Sequence, residues 1–327
     1  MSENATIPFD GQVVISEEEN PELIIYEASS ILSIADRPVV DGILMKPNLT
    51  VALSESNKRF LETEFELLTD HIVSTPELWK KYGISEEKRG TVMLLKPLSV
   101  FPVDFIVNGY EKTGKKDKLC VPEVIFCSEE GEEICKKEAI RLLVEWFYEN
   151  DYCSENYEAM IECETVDEAF ELVDISLADI QYAEDFDTEE EIELLERASL
   201  HNSATHYIEQ LRMLCEFIYT ELAKKYEEAG VLLVKTRFLF GMDEDDQTVL
   251  YGEVGTPDES LLVSKMLYEK DRSMVDMLEA PVIEYIKHSE NAREDAEIPE
   301  DVLDEVSDTC MYLAEALCDD LSFEQCL

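Results

Sequence analysis

One segment past the middle of the chain constrains the fold more than any other, because several of its features must occur together. Residues 203–229 have helical periodicity, and Gly230 follows them at the position where glycine commonly ends a helix. A β-branched run, 231–240, comes directly after the glycine, and a second run, 248–254, follows an acidic turn. The segment therefore predicts a long helix that leads straight into a β-hairpin.

The rest of the chain alternates between strand and helix patterns. Apolar periodicity predicts helices over 54–72, with Ser54 and Ser56 as caps, and over 137–149. The other predicted elements are strands at 9–16, 22–27, 91–95 and 101–108, and helices at 165–173, 188–199, over most of 260–290 and at 299–320. We expect the first two strands to be neighbours and the next two to form a pair, so the first 110 residues are predicted to be rich in β structure.

The charge of the chain is strongly negative, since 76 acidic and 27 basic residues give a formal net charge of −49. Such a surface repels nucleic-acid phosphates and anionic membranes, so we expect no direct binding to nucleic acid or to a membrane. Three interpretations of the charge stay open. They are solubility, adaptation to high salt, and an acidic face that binds a basic partner or mimics nucleic acid.

Cysteine and histidine usage gives no sign of a metal centre or a disulfide framework. The nine cysteines form no C-x-x-C pair, no Cys/His cluster has zinc-finger spacing, and the four histidines are dispersed. The N-terminus does not resemble a signal peptide, and no stretch of about 18 apolar residues is present to span a membrane. We therefore expect reduced thiols in a cytoplasmic protein.

The basic segment 111–118 is interpreted as a solvated turn, because its glycine pattern matches no phosphate loop.

Three stretches resemble the SAICAR synthetase family, and they occur in that family's order. The family's helix–glycine–hairpin segment, which continues into a T-P-D-S-S-R motif, is similar to residues 224–262, KKYEEAGVLLVKTRFLFGMDEDDQTVLYGEVGTPDESLL. Its opening hairpin and S-A-hydrophobic-D segment resemble residues 13–36, and its R-G-Y strand resembles residues 95–110. The match at residues 224–262 is the most specific of the three. The family residues that it retains are Gly230, Phe240, Gly241, Glu253, Thr256, Pro257, Asp258 and Ser260.

The resemblance implies an α+β fold in which a β-rich N-terminal lobe, residues 1–110, sits over a larger α/β lobe with an interlobe cleft. The larger lobe, residues 111–327, would include an acidic helical insertion at about 150–200. Enzymes of this family use ATP and Mg²⁺ to join aspartate to a carboxylated aminoimidazole ribonucleotide in purine biosynthesis. The implied cofactor positions are Gly11, Lys96, Arg237, Glu253 and Asp258, and the implied substrate positions are Ser33 and Asp36.

The sequence departs from the family at most of the positions where the family carries charge. Leu239 stands at the acidic residue of the family's E-F-G motif, and the opening glycine loop keeps Gly11 but has no lysine. Lys235 and Gly252 each stand where the family has an aspartate, and Arg237 stands where it has a lysine. Leu261 and Asn108 each stand where the family has an arginine. Because leucine cannot coordinate Mg²⁺ and lost cations cannot bind phosphate, these changes predict a loss of ligase activity and no catalytic or metal-binding residues.

Three functions are open for such a chain. The first is a SAICAR synthetase-like pseudoenzyme that binds a partner or regulates one, and the second is an active ATP-dependent ligase with relocated ligands. The third is an acidic nucleic-acid mimic that inhibits a nucleic-acid-binding protein. For the first, we expect a protein partner with a basic surface, bound through Asp185, Asp187, Glu189, Glu190, Glu191 and Glu193. A homo-oligomer also stays open, and ATP and Mg²⁺ are expected only if the cleft is competent to bind them.

Overall fold

The structure of the protein is a computed structural model that describes most of the chain. The described residues are 12–14, 23–32, 42–65, 71–111, 118–150, 152, 188–243, 245–288, 298–319 and 322. The chain divides into two compact units, each made of separate stretches of sequence. The first is Met1–Val100, Ile106–Glu123 and Glu216–Leu327, and the second is Phe101–Phe105 and Val124–Cys215. The division at residues 110 and 111 stays a prediction.

Runs of strands and runs of helices follow one another along the described residues. The strands are β1 (Gln12–Val14), β2 (Ile24–Glu27), β3 (Val92–Leu95), β4 (Ser99–Val100), β5 (Asp104–Glu111), β6 (Lys118–Cys127), β7 (Glu133–Ile134), β8 (Val231–Met242), β9 (Thr248–Tyr251) and β10 (Ser260–Ser264). The helices are α1 (Lys46–Phe65), α2 (Pro76–Lys81), α3 (Lys136–Glu149), α4 (Thr188–Glu228), α5 (Lys265–Asp271), α6 (Ala280–His288) and α7 (Glu300–Leu317), with a 3₁₀ turn at Glu86–Lys88. None of these helices is long and apolar enough to cross a lipid bilayer.

A three-stranded antiparallel sheet in the first unit has the order β1, β2, β3. The prediction that the first two strands are neighbours is therefore confirmed. The prediction that 91–95 pairs with 101–108 is wrong, because β3 pairs with β2 while β5 belongs to another sheet. The reason is packing: Ile24 and Tyr26 of β2 form one apolar cluster with Met93 and Leu95 of β3, and Val51 of α1 packs against them.

The longest strand, β8, organises the second sheet. It lies between β10 and β5, and it also pairs with β4 and β9 near its end. Leu239 lies opposite Tyr251, so the predicted hairpin is confirmed. The predicted helical structure over 260–290 is wrong at its start, where β10 pairs with β8 through buried Leu262 and Val263. Pairing with a distant strand overrides the local preference there.

Helix α1 begins at Lys46 and not at the predicted Ser54. Ser54 does not cap the helix, since its hydroxyl donates to the backbone oxygen of Thr50 at 2.8 Å. Ser56 accepts a hydrogen bond from the backbone N–H of Asp319 at 3.0 Å, so it is not a cap either. The apolar pattern failed because the helix buries polar residues along with apolar ones. Within the described part of the first 110 residues, five strands thus accompany a 20-residue helix and the short α2.

The second unit contains α3, which buries Ile140, Leu143 and Phe147 of the apolar stripe predicted along 137–149, while Val144, the fourth residue of that stripe, is half-buried. The predicted helices at 188–199 and 203–229 are one continuous helix, α4, because no helix breaker separates them and Leu200 and its neighbours are buried. The helix predicted at 165–173 lies outside the described residues.

Candidate functional site

Two of the positions implied by the family resemblance, Arg237 and Asp258, line a cavity of about 340 Å³ in the first unit. Lys235 and Arg237 reach it from β8, where alternate side chains point to the same face of a sheet. Ile106 of β5 forms an apolar wall, and the turn before β10 contributes Asp258 and Glu259. The described part of the lining therefore contains two cationic and two anionic side chains.

Arg237 is held by Glu259 across the pairing of β8 with the turn before β10. The guanidinium Nε and Nη2 donate to the two carboxylate oxygens of Glu259 at 2.5 and 2.6 Å. The backbone N–H of Arg237 also donates to the backbone oxygen of Glu259 at 2.9 Å. This two-point ion pair offsets the charge of Arg237 within the protein itself. Lys235, two residues earlier on β8, is exposed.

Asp258 is bound by two residues of the first turns of α1. The Nζ of Lys46 lies 2.5 Å from Asp258 Oδ1, and the hydroxyl of Thr50 donates to Oδ2 at 3.1 Å. Lys46 Nζ also donates to the backbone oxygen of Ser29 at 3.2 Å. Lys46 and Thr50 are both completely buried. Each oxygen of the Asp258 carboxylate therefore contacts a buried side chain of α1.

Glu253 lies near Asp258 but is buried beneath the turn. The hydroxyl of Tyr26 donates to Glu253 Oε1 at 2.6 Å, and Thr256 Oγ1 lies 3.4 Å from Oε2. Burial, together with repulsion from Asp258, raises the pKa of Glu253 to about 8, although the Tyr26 hydrogen bond opposes this rise. These surroundings therefore favour the protonated form of the Glu253 carboxyl.

The turn that carries these acids is tied to two helices. Gly255 has a positive φ of 75°, and a Cβ on it would lie 2.7 Å from the hydroxyl of Tyr226. That hydroxyl, from α4, donates to the backbone oxygen of Gly255 at 2.9 Å. Asn57 of α1 donates both to Tyr226 and to the backbone oxygen of Val254, each at 2.8 Å. The glycine is required because any side chain would displace this network.

The structure brings together some of the predicted cofactor residues and leaves others apart. Arg237 and Asp258 line the same cavity, and Glu253 is buried beside it. Lys96 follows β3 and is not among the described residues that line the cavity. Residues that lie outside the described part of the chain are Gly11, Ser33, Asp36, Asp185 and Asp187. The backbone of α4 includes Glu189, Glu190, Glu191 and Glu193.

Leu239 lies on the same face of β8 as Lys235 and Arg237, but it does not reach the cavity. Only 3% of its surface is exposed, because Leu98, Val249 and Tyr251 pack around it. The family resemblance implies that this residue lies in the interlobe cleft, whereas here it belongs to an apolar cluster with residues of β9 and the segment before β4. Here the family's acidic position has become part of the apolar core.

Two other changed positions make internal contacts. The backbone N–H of Gly252 donates to Nε2 of His71 at 3.2 Å. The side-chain oxygen of Asn108 accepts from the backbone N–H of Tyr110 at 3.3 Å. Neither residue is among the described residues that line the cavity.

Sequence reasoning missed Lys46, Tyr26, Asn57 and Tyr226, which hold the site from other elements. Lys46 and Asn57 are polar residues inside the segment that folds into α1, and an unexpected polar residue in a helix was the available signal. Their partners lie far away in sequence: 227 residues separate Tyr26 from Glu253. No local pattern identifies such a contact.

The residues at this site do not fit a Mg²⁺ ion. Among the described residues, no group of three or more His, Cys, Asp and Glu side chains is arranged to hold a metal. The raised pKa of Glu253 disfavours the ionised form that binds metal, and Asp258 is already bound by Lys46.

Comparison with known proteins gives consistent matches to one family. A profile described as SAICAR synthetase matches residues 14–278. The phosphoribosylaminoimidazole-succinocarboxamide synthase of Lachnospira eligens is 24% identical over 258 residues, which are 77% of this chain and 76% of that protein. The enzyme of the same name from Desulfatibacillum aliphaticivorans is 31% identical over 114 residues, 34% of this chain and 38% of that protein. The latter match thus spans little more than a third of the relative's length.

Solved structures agree in fold. SAICAR synthase from Saccharomyces cerevisiae, complexed with SAICAR, superposes with a TM-score of 0.62 at 17% identity, covering 94% of each chain. The synthase from Ehrlichia chaffeensis gives a TM-score of 0.51 at 12% identity, covering 94% of this chain and 97% of its own. These likenesses confirm the α+β fold predicted from the sequence. Because the family profile covers most of the sequence, the chain belongs to the SAICAR synthetase family.

Proposed function

We propose that this protein is a SAICAR synthetase homologue without ligase activity, which acts by binding a partner protein. The observation that carries the proposal is the pairing of Arg237 with Glu259 inside the cavity. The family's reaction needs a cation that is available to a phosphate group. Here Nε and Nη2 of Arg237 already contact the carboxylate of Glu259.

The charge of the cavity supports the same conclusion. Lys235 and Arg237 contribute two positive charges, and Asp258 and Glu259 contribute two negative ones. The described lining therefore has no net formal charge. A nucleoside triphosphate, which carries several negative charges, gains little electrostatic attraction from such a site. The net charge of −49 on the whole chain weakens that attraction further.

The missing charged residues give a measure of the expected loss in rate. Leu239, Leu261 and Asn108 replace charged residues of the family. Each lost charge-assisted contact is worth about 1.5–3 kcal/mol, so three together reduce the rate by about 10³- to 10⁷-fold. The burial of Leu239 supports this estimate, because no ligand touches that side chain without rearrangement of the core.

The test is a ligase assay with the full chain, ATP, Mg²⁺, aspartate and carboxyaminoimidazole ribonucleotide, followed by chromatography of the product and of ADP. The Lachnospira eligens relative serves as the matched positive control. We expect the relative to form product and this chain to give none above the enzyme-free control. Product formation clearly above that control would overturn the proposal and favour an active ligase with relocated ligands.

We further propose that the partner is a cytoplasmic protein with a basic surface, bound by the acidic segment from Asp185 to Glu193. The support is the excess of 76 acidic over 27 basic residues, which attracts basic proteins over a screening length of about 8–10 Å. Charge reversal across the segment should weaken capture of that partner, and wild-type capture should fall as salt increases. Equal capture by both chains at every salt concentration would leave the segment as a solubilising surface only.

A further inference from the structure

Lys225 of α4 is a half-buried amine that lies outside the candidate site. Its Nζ donates to Oδ1 of Asn57 at 2.8 Å and to Oγ of Ser56 at 3.4 Å, and both acceptors are uncharged. Nζ also lies over the ring of Phe60, 5.2 Å from the ring centroid. Among the described residues, no carboxylate forms an ion pair with this lysine. The amine therefore has neutral partners in a chain that contains 76 acidic residues.

The wider surroundings of Lys225 favour its neutral form. Burial is the largest effect on its pKa, which is lowered to about 8. Cys318 and Asp319, which follow α7, oppose this fall, whereas the guanidinium of Arg59 on α1 adds to it. Near pH 7.5 about a quarter of such an amine is neutral, against about a thousandth of an ordinary lysine side chain. A desolvated lysine beside another cation is a common environment for a nucleophilic amine.

The contacts of Nζ distinguish between the electrophiles that this amine could attack. Acylation or carbamylation would remove the positive charge, and the cation–π contact with Phe60 would be lost with it. Condensation with an aldehyde preserves that contact, because a protonated imine keeps the charge. The imine also keeps one N–H, which can donate to the side-chain oxygen of Asn57. An aldehyde is therefore the class of reagent that fits these surroundings.

We propose that Lys225 is a covalent modification site that forms an imine with small aldehydes. The nitrogen lone pair forms a bond to the carbonyl carbon, the carbonyl oxygen leaves as water, and one proton from solvent gives the protonated imine. Phe60 and Asn57 then stabilise the new cation as they do the ammonium. None of these residues is among the described residues that line the cavity, so the inference does not depend on the proposed function.

The test traps the imine in the full-length chain with propanal and cyanoborohydride near pH 7.5. Peptide mass spectrometry then measures the labelling rate at each lysine. Lys224 is the matched internal control, because it is the adjacent residue, is 69% exposed and has Glu221 as an ion-pair partner at 4.0 Å. We expect Lys225 to be labelled at least about tenfold faster than Lys224, since burial offsets only part of the difference in neutral amine.

A pair of substitutions at Ser56 tests the role of the neutral surroundings. Ser56→Asp places a carboxylate beside Nζ and should hold the amine protonated, whereas Ser56→Asn adds a side chain of similar volume without charge. We expect labelling of Lys225 to be at least about tenfold slower in Ser56→Asp than in Ser56→Asn, which corresponds to a pKa that is higher by about one unit.

Two results would overturn the inference. One is labelling of Lys225 in wild type that is no faster than labelling of Lys224. The other is equal labelling of Lys225 in the two Ser56 variants, both shown to be folded by circular dichroism. If either variant fails to fold, the comparison of Lys225 with Lys224 in wild type decides alone. Because the readout is labelling, ligase activity in wild type would refute the proposed function without deciding this experiment.

Discussion

Substitution of Leu239 by glutamate tests whether this side chain belongs to the apolar core or to the functional site. Leu239 is 3% exposed and packs against Leu98, Val249 and Tyr251. Loss of a buried leucine side chain removes about 1.5–3 kcal/mol of transfer free energy. A carboxyl group left without partners among these neighbours adds about 1–3 kcal/mol. We therefore expect Leu239→Glu to lower the free energy of unfolding by about 2.5–6 kcal/mol, measured by urea denaturation followed by circular dichroism.

Leu239→Met is the control for this experiment, because it conserves volume and polarity. It should cost less than about 1.5 kcal/mol in the same denaturation series. If Leu239→Glu costs less than about 1 kcal/mol, the side chain at this position reaches solvent or a site with polar partners. That result would refute the conclusion that the family's acidic position has joined the core.

Two further predictions concern positions that fix the first unit. A Cβ at Gly109 would lie 1.9 Å from the hydroxyl oxygen of Tyr219, so Gly109→Ala should cost about 1–3 kcal/mol in the free energy of unfolding. An unchanged urea midpoint would contradict this close packing. Hydrogen bonds from Arg59 lower the pKa of Asp319 from 3.8 to about 2. The stabilisation that they provide is present above pH 3.8 and is lost as pH falls through 2, so the midpoint difference between wild type and Asp319→Asn should shrink over that interval. A difference that is constant with pH would contradict the pairing.

Elements with a strong local pattern could be predicted from the sequence. The helix that ends at Gly230 and the hairpin after it follow from periodicity and one glycine, and Gly230 does have a positive φ of 82°. Helix α3 was equally clear, because its apolar stripe repeats at helical spacing. In these segments, local preference and tertiary packing favour the same structure.

Elements whose structure depends on distant partners could not be predicted in the same way. The strand at Ser260–Ser264 forms because β8 offers it an edge, and nothing in its own five residues requires that. The start of α1 was missed because Lys46 and Thr50 interrupt the apolar pattern, although both are buried against Asp258. The same contacts define the candidate site, so the errors in the fold and in the site have one cause.

The retention of family residues in this chain does not require that they serve catalysis. Thr256 donates to the backbone oxygen of Glu253 at 3.2 Å, which closes the turn. Asp258 links that turn to α1 through Lys46 and Thr50. Thr256 and Asp258 thus have structural roles that substitution would disrupt, whereas Leu239 stabilises the core without any charge. The proposed loss of ligase activity predicts that such a chain keeps residues that hold the fold and loses charge at positions that served only the reaction.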